Sequence, residues 1–182
     1  MKKAIAILEF TTVSTGIKAV DLLAKTADIQ IIEAGAVCPG KYMILISGEL
    51  AAVNAAVEAV RLTHGERYIS GFVLGNPHEN LLPAFYGGTK VEKLQALGVV
   101  ETYDAATAIK AADIAVKTAI VELIEIRLAK GMCGKSYVTI TGEIAAVQAA
   151  IDAAKVVALE AGMLLDAAVI ANPDGKLAQF LL

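Results

Sequence analysis

Residues 5–27, IAILEFTTVSTGIKAVDLLAKTA, and residues 97–119, LGVVETYDAATAIKAADIAVKTA, carry one pattern twice. Glu9 falls on Glu101, Lys18 on Lys110, Asp21 on Asp113, and Lys25-Thr26-Ala27 on Lys117-Thr118-Ala119. The correspondence runs on in the same order. Gly40-Lys41 meets Gly134-Lys135 after a two-residue insertion, and Gly48-Glu49 meets Gly142-Glu143. AAVNAAVEA meets AAVQAAIDA, and Asn76-Pro77 meets Asn172-Pro173 after two more inserted residues. Self-similarity this dense in fixed order makes the chain a tandem of one structural unit.

Each copy reads as six elements. Residues 4–10 are an apolar run of strand length, followed by Ser14 or Thr15 as the expected N-cap of a helix. Ile17, Val20 and Ala24 recur at helical spacing and are the expected core face. Residues 29–37 are strand-like, the loop Cys38-Pro39-Gly40-Lys41 follows, and Tyr42–Ser47 form a further strand. Gly48-Glu49 opens a second helix with Leu50, Val53, Val57 and Val60 on one stripe and Gly65 as its stop. Residues 69–75 make a fourth strand that Asn76-Pro77 ends. The order β-α-β-β-α-β predicts the ferredoxin-like split arrangement, α+β, with two helices on one face of a four-stranded antiparallel sheet. Residues 1–85 are the expected first domain, 86–96 with Gly87-Gly88 the linker, and 97–182 the second domain.

Composition agrees with thin domains. Hydrophobic residues make up 57% of the 182, yet only 5% are aromatic, so small aliphatic side chains must fill the layers. Charged residues interrupt every apolar stretch before the ~18 needed for a spanning helix. The apolar excess therefore goes against protein, and two domains of this size have limited cores of their own. Contacts between copies are the natural outlet. A net charge of −3 gives no basic patch for nucleic acid. The apolar length before the first strand is too short for the expectation of a secretory signal, two cysteines are too few for a disulfide framework, and a reducing cytosol is the expected setting.

The doubled motifs resemble those of tandem-domain shell proteins of bacterial microcompartments. The shared features are a Glu ending the first strand (Glu9, Glu101) and the Asp-x-x-x-Lys-x-Ala helix (Asp21 to Ala27, Asp113 to Ala119). A Gly-Lys loop before a strand ending in Gly-Glu, and a last strand closing with Asn-Pro, complete the set. The resemblance spans essentially the whole chain. It implies a homotrimer imitating a hexamer, lying in a lateral sheet with other shell proteins, with a structural role and no enzymatic one.

Within that family, Cys38-Pro39-Gly40-Lys41 is similar to the loop of the iron–sulfur shell proteins of propanediol-utilising compartments. There the equivalent cysteine sits at the central pore and three copies hold one 4Fe–4S cluster. The resemblance thus implies Cys38 as the metal ligand, one cluster per trimer, and passage of electrons, cluster or iron across the shell. Read alone, a lone intracellular cysteine is a small buried hydrophobe, and no Cys-x-x-Cys spacing exists here. Its place before Pro39-Gly40 argues for a turn instead of a core strand. A shell tile without metal, its pore open to small metabolites, is the alternative. A soluble ferredoxin-like trimer with a ligand or enzymatic site is a third reading, since the fold hosts many functions.

The remaining chemistry-bearing residues form no catalytic set. Cys133 lies in the matching loop of the second copy, one residue before Gly134 where Cys38 is two before Gly40, and is expected to be a spectator. Gly134-Lys135-Ser136 is not a P-loop, because Ala129 stands where the first Gly is required and a strand follows. Lys25 and Lys117 are expected at exposed helix ends, and the resemblance implies that they line the outer edges where neighbouring tiles meet, with Asn76 and Asn172 sharing that edge. His64 and His78 lack partners for catalysis or metal binding and are expected to be exposed. Glu9 and Glu101 are expected to be structural.

Overall fold

The computed structural model describes residues 4–89, 91 and 93–181. These fall into two compact units, divided at Pro77/His78.

In the first unit, β1 (Ala4–Phe10), β2 (Ile29–Val37), β3 (Lys41–Gly48) and β4 (Tyr68–Leu74) form one antiparallel sheet in the order β2-β3-β1-β4. Helices α1 (Val13–Thr26) and α2 (Leu50–His64) close one face, and a 3-10 turn over Gly65–Arg67 leads into β4. The alternation in β1 explains the layering. Ala4, Ala6, Leu8 and Phe10 join Ile44 and Ile46 of β3 and Leu23, Val53, Ala56 and Val60 of the helices in one buried core. Phe10 also meets Tyr68 edge-to-face at 5.8 Å between ring centroids. Strand β1 is buried along its whole length, so Ile5, Ile7 and Glu9 on the other face are covered too.

The second unit repeats the plan. Strands β5 (Ala96–Thr102), β6 (Glu122–Leu128), β7 (Ser136–Gly142) and β8 (Leu164–Ile170) pair in the order β6-β7-β5-β8. Helices α4 (Ala105–Thr118) and α5 (Ile144–Glu160) pack on them. Even the irregularities recur. Register shifts at Ile31/Glu33 and Glu9/Phe10 reappear at Leu123/Glu125 and Glu101/Thr102. Gly98 lets α5 approach the sheet: a Cβ there would stand 2.7 Å from Ile151 and 2.8 Å from both Ile140 and Val147.

Several local expectations change. Helix α1 starts earlier, with Thr12 as N-cap in extended conformation, because only two residues separate β1 from the helix. Its buried residues are Gly16, Ala19 and Leu23, whereas Ile17 and Ala24 are exposed and Val20 is half-buried. Gly16 holds its place on the inner face because Tyr42 lies against it, where a Cβ would fall 2.2 Å from the ring. Two short helices have no counterpart in the sequence reading: α3 (Leu81–Phe85) and α6 (Gly175–Leu181). Helix α3 packs on β6 and α4, which is why the segment from His78 belongs with the second unit and not with the first. Of the expected 86–96 linker, Ala96 opens β5, while residues 90 and 92 lie outside the described residues.

Candidate functional site

The β2–β3 connection is a three-residue turn, Cys38-Pro39-Gly40. Gly40 N donates to Val37 O at 2.9 Å, and Gly40 takes the left-handed φ of 87° that closes the turn. Cys38 is half-buried, while Pro39 and Gly40 are exposed. The chain re-enters the sheet at Lys41, whose Nζ lies 3.1 Å from Oε2 of Glu9 on the neighbouring strand β1. Glu9 is 1% exposed and Lys41 24%, so this pair staples the base of the cysteine turn to the central strand. Glu9 Oε1 and Ser70 Oγ, whose residues face each other across β1 and β4, are buried without a protein partner among the described residues. The expectation of a structural Glu9 gains a specific content here: it fixes the strand that carries the turn.

The second copy builds its turn differently. Seven residues, Ala129–Lys135, replace three. Ala129, Gly131, Cys133 and Gly134 all have left-handed φ, at 51°, 72°, 53° and 87°. A left-handed non-glycine residue costs about 1–2 kcal/mol. The loop is held by Ala129 N donating to Ser136 Oγ at 3.1 Å and by Lys135 N donating to Met132 O at 3.1 Å. Gly134 matches Gly40 in φ and in standing just before the lysine, but Cys133 is exposed where Cys38 is half-buried. The two thiols therefore have different surroundings.

Next to that longer loop lies a polar cluster the sequence reading missed. Tyr137 Oη donates to Glu125 Oε2 at 2.6 Å, and Arg127 donates to Glu125 Oε1 through Nε at 3.0 Å and Nη2 at 2.7 Å. Arg127 and Tyr137 are register partners on β6 and β7, with Glu125 two residues along the same face. Burial, then the hydrogen bond and charge of Glu125, push the Tyr137 hydroxyl up to about 12. The first copy has Gly35 and Met43 at the matching register, so nothing comparable forms there. The Glu-x-Arg alternation opposite a Tyr was the available signal.

Lys25 and Lys117 close the last turns of α1 and α4, each bridging an aspartate four residues back, Asp21 at 2.6 Å and Asp113 at 2.5 Å. Asn76 and Asn172 are exposed beyond the ends of β4 and β8. His64 and His78 are half-buried, not exposed as expected, since His64 ends α2 and the His78 backbone N donates to Asp113 Oδ1 at 2.9 Å. Among the described residues no three His, Cys, Asp or Glu side chains gather in one chain as a metal site. An open cleft lined by Lys93, Gln95, Glu122, Thr141 and Glu143 holds no nucleophile–base pair. No helix among the described residues is long and apolar enough to cross a membrane.

The BMC domain family matches residues 4–77 and again 96–173. A microcompartment shell protein, PduT of Citrobacter freundii, is 36% identical over 95% of this chain and 94% of its own length. The carboxysome shell protein CsoS1 of Prochlorococcus marinus is 30% identical over 47% of this chain and 85% of its own length. A crystal structure of a microcompartment protein from Desulfitobacterium hafniense superposes with a TM-score of 0.92 at 39% identity, covering 98% of this chain and 99% of that one.

Proposed function

The chain belongs to the BMC domain family and is a structural shell protein of bacterial microcompartments, and we propose that three copies close a pseudohexameric tile around one 4Fe–4S cluster held by Cys38. The observation that carries this reading is the Cys38 turn itself. It presents one half-buried thiol from a short connection whose far end is stapled by Lys41 to the buried Glu9. A thiolate is the donor that iron–sulfur clusters take, so the residue present fits the group. One chain offers one such donor at this turn. A threefold axis multiplies it to three, leaving one iron for a ligand from outside.

When bound, the cluster supplies one-electron transfer at the centre of the tile. The chain's own part is mechanical and electrostatic. The turn aims the thiol, the Glu9–Lys41 pair holds the turn's register, and the tandem fold fixes six domains around three turns. Such a tile passes electrons, or cluster or iron, between the two sides of a shell, and its filled axis is closed to metabolites. Lys25 and Lys117, at equivalent helix ends, supply lateral contacts to other shell proteins. Replacing both by Ala, which puts no second carboxylate beside Asp21 or Asp113, is expected to impair sheets.

Cys38→Ser tests the ligand assignment. Serine is nearly isosteric in a turn, but its hydroxyl is a hard donor that does not deprotonate readily near neutral pH. Purified and reconstituted without oxygen, the variant is expected to lose the visible iron–sulfur absorption and keep its trimeric mass. A full cluster in the serine variant would put the ligands elsewhere. A wild-type protein that binds no iron would favour the metal-free tile with a metabolite pore.

A further inference from the structure

We propose that helix α6 of one copy clasps α1 and β2 of the next copy, repeating between chains the contact that α3 makes on α4 and β6 within one chain; this rests on the trimeric reading above. The repeat supplies the argument. Asn76-Pro77 and Asn172-Pro173 are equivalent, so His78 corresponds to Asp174, Leu81 to Leu177 and Ala84 to Phe180. The two segments fold alike. Leu81 N donates to His78 O at 3.1 Å, and Leu177 N to Asp174 O at 2.9 Å. Asn80 N donates to His78 Nδ1 at 3.3 Å, and Lys176 N to Asp174 Oδ1 at 2.9 Å.

Their surroundings differ. Leu81 and Ala84 are fully buried, and α3 packs on β6 and α4. Helix α6 buries no residue, and Phe180 is 80% exposed. The receiving surfaces differ in the same sense. In the second unit, Asp113 takes Lys117 on Oδ2 and the His78 backbone N on Oδ1, and its side chain is 5% exposed. In the first unit, Asp21 takes Lys25 on Oδ2, its side chain is 61% exposed, and its Oδ1 has no partner among the described residues. Ile17 is 56% exposed where Ile109 is buried, and Ile31 on β2 is exposed where Leu123 on β6 is buried.

One chain thus carries a donor segment without an acceptor at its end and an acceptor face without a donor at its start. A head-to-tail arrangement satisfies both at once. Asp174 N then donates to Asp21 Oδ1 of the next copy, as His78 N does to Asp113, while Leu177 and Phe180 cover the apolar strip of α1 and β2. Such a contact is heterologous: in the trimeric tile it closes as a ring of three, whereas a rotation that did not close would run on as an open filament.

Two experiments on the full chain test this. In a Cys38→Ser, Cys133→Ser background, Asp21→Cys with Asp174→Cys is expected to oxidise into covalent two- and three-chain species and no larger ones. His78→Cys with Asp113→Cys in the same background is expected to crosslink within one chain and give no covalent multimer. Phe180→Asp, at a site exposed in the single chain, is expected to raise the concentration at which trimers half-assemble at least ten-fold by native mass spectrometry. A wild-type trimer with neither the Asp21–Asp174 crosslink nor any weakening by Phe180→Asp would overturn the clasp and leave the trimer standing. A wild-type monomer at micromolar concentration would overturn both.

Discussion

Lys41→Met removes one half of the pair that anchors the cysteine turn, and its cost follows from the geometry. Glu9 is 1% exposed and its Oε2 accepts from Lys41 Nζ at 3.1 Å, while Oε1 has no protein partner among the described residues. Taking away the lysine leaves a buried carboxylate with no opposing charge. Breaking a buried pair in this way costs about 3–5 kcal/mol. Lys41 keeps a quarter of its side chain in solvent, so water screens part of the attraction and the expected loss is about 2–4 kcal/mol. Glu9→Gln is expected to cost less, about 1–2 kcal/mol, because it removes the charge along with its partner's role. The double variant should therefore fall well short of the sum of the singles, with a coupling of about 1 kcal/mol or more. Urea unfolding of all four proteins at one fixed chain concentration measures this, since assembly contributes to the apparent stability. Hydrogen exchange across residues 38–41 should speed up in Lys41→Met. A single-variant loss below about 0.5 kcal/mol, or additivity within that margin, would refute the idea that this pair holds the turn.

Gly98→Ala is expected to destabilise by about 1–3 kcal/mol in the same urea assay, because its Cβ would fall within 2.8 Å of Ile151, Ile140 and Val147. Gly35→Ala, with nothing within 4 Å, is the control and should cost far less. Asp104→Ala should cost about 1 kcal/mol, since the Asp104 side chain accepts from Thr107 N at 3.2 Å as the α4 N-cap. Thr12→Ala should cost less, because Thr12 caps α1 without such a bond. Tyr137 should ionise near pH 12 in an ultraviolet titration, above the ordinary tyrosine value. The fold favours its protonated form, so that contribution is complete below about pH 10 and is lost as pH rises through about 12; Tyr137→Phe should remove that part of the alkaline loss.

The duplication and the four-stranded antiparallel sheet were legible because they rest on long-range self-similarity and on the succession of strand-length apolar runs, such as Ala4–Phe10, and helix signals. The inward face of α1 was not. Hydrophobicity ranks Ile17 above Gly16, but close approach to Tyr42 puts the glycine inside and turns Ile17 outward, while Val20 packs half-buried against the core. That reversal is what makes the outer strip of α1 available to a second copy. Helices α3 and α6 were invisible because five and seven residues are too few for a periodic pattern, and Pro83 lies inside the first. The Cys38 turn was readable from Pro39-Gly40. The left-handed Cys133 was not, since a non-glycine residue gives no local sign of that conformation. The Tyr137–Glu125–Arg127 cluster depends on which residues face each other across β6 and β7, and register there is shifted by an irregularity after Leu123.

Iron and acid-labile sulfide counted per chain, on protein purified and reconstituted without oxygen, test the central claim most directly. A cluster shared by three Cys38 thiolates predicts about four irons and four sulfides for every three chains, with the count unchanged in Cys133→Ala. Four irons per chain, or iron lost with Cys133, would contradict a single axial site built from Cys38, and no iron at all would leave a shell tile without a cluster.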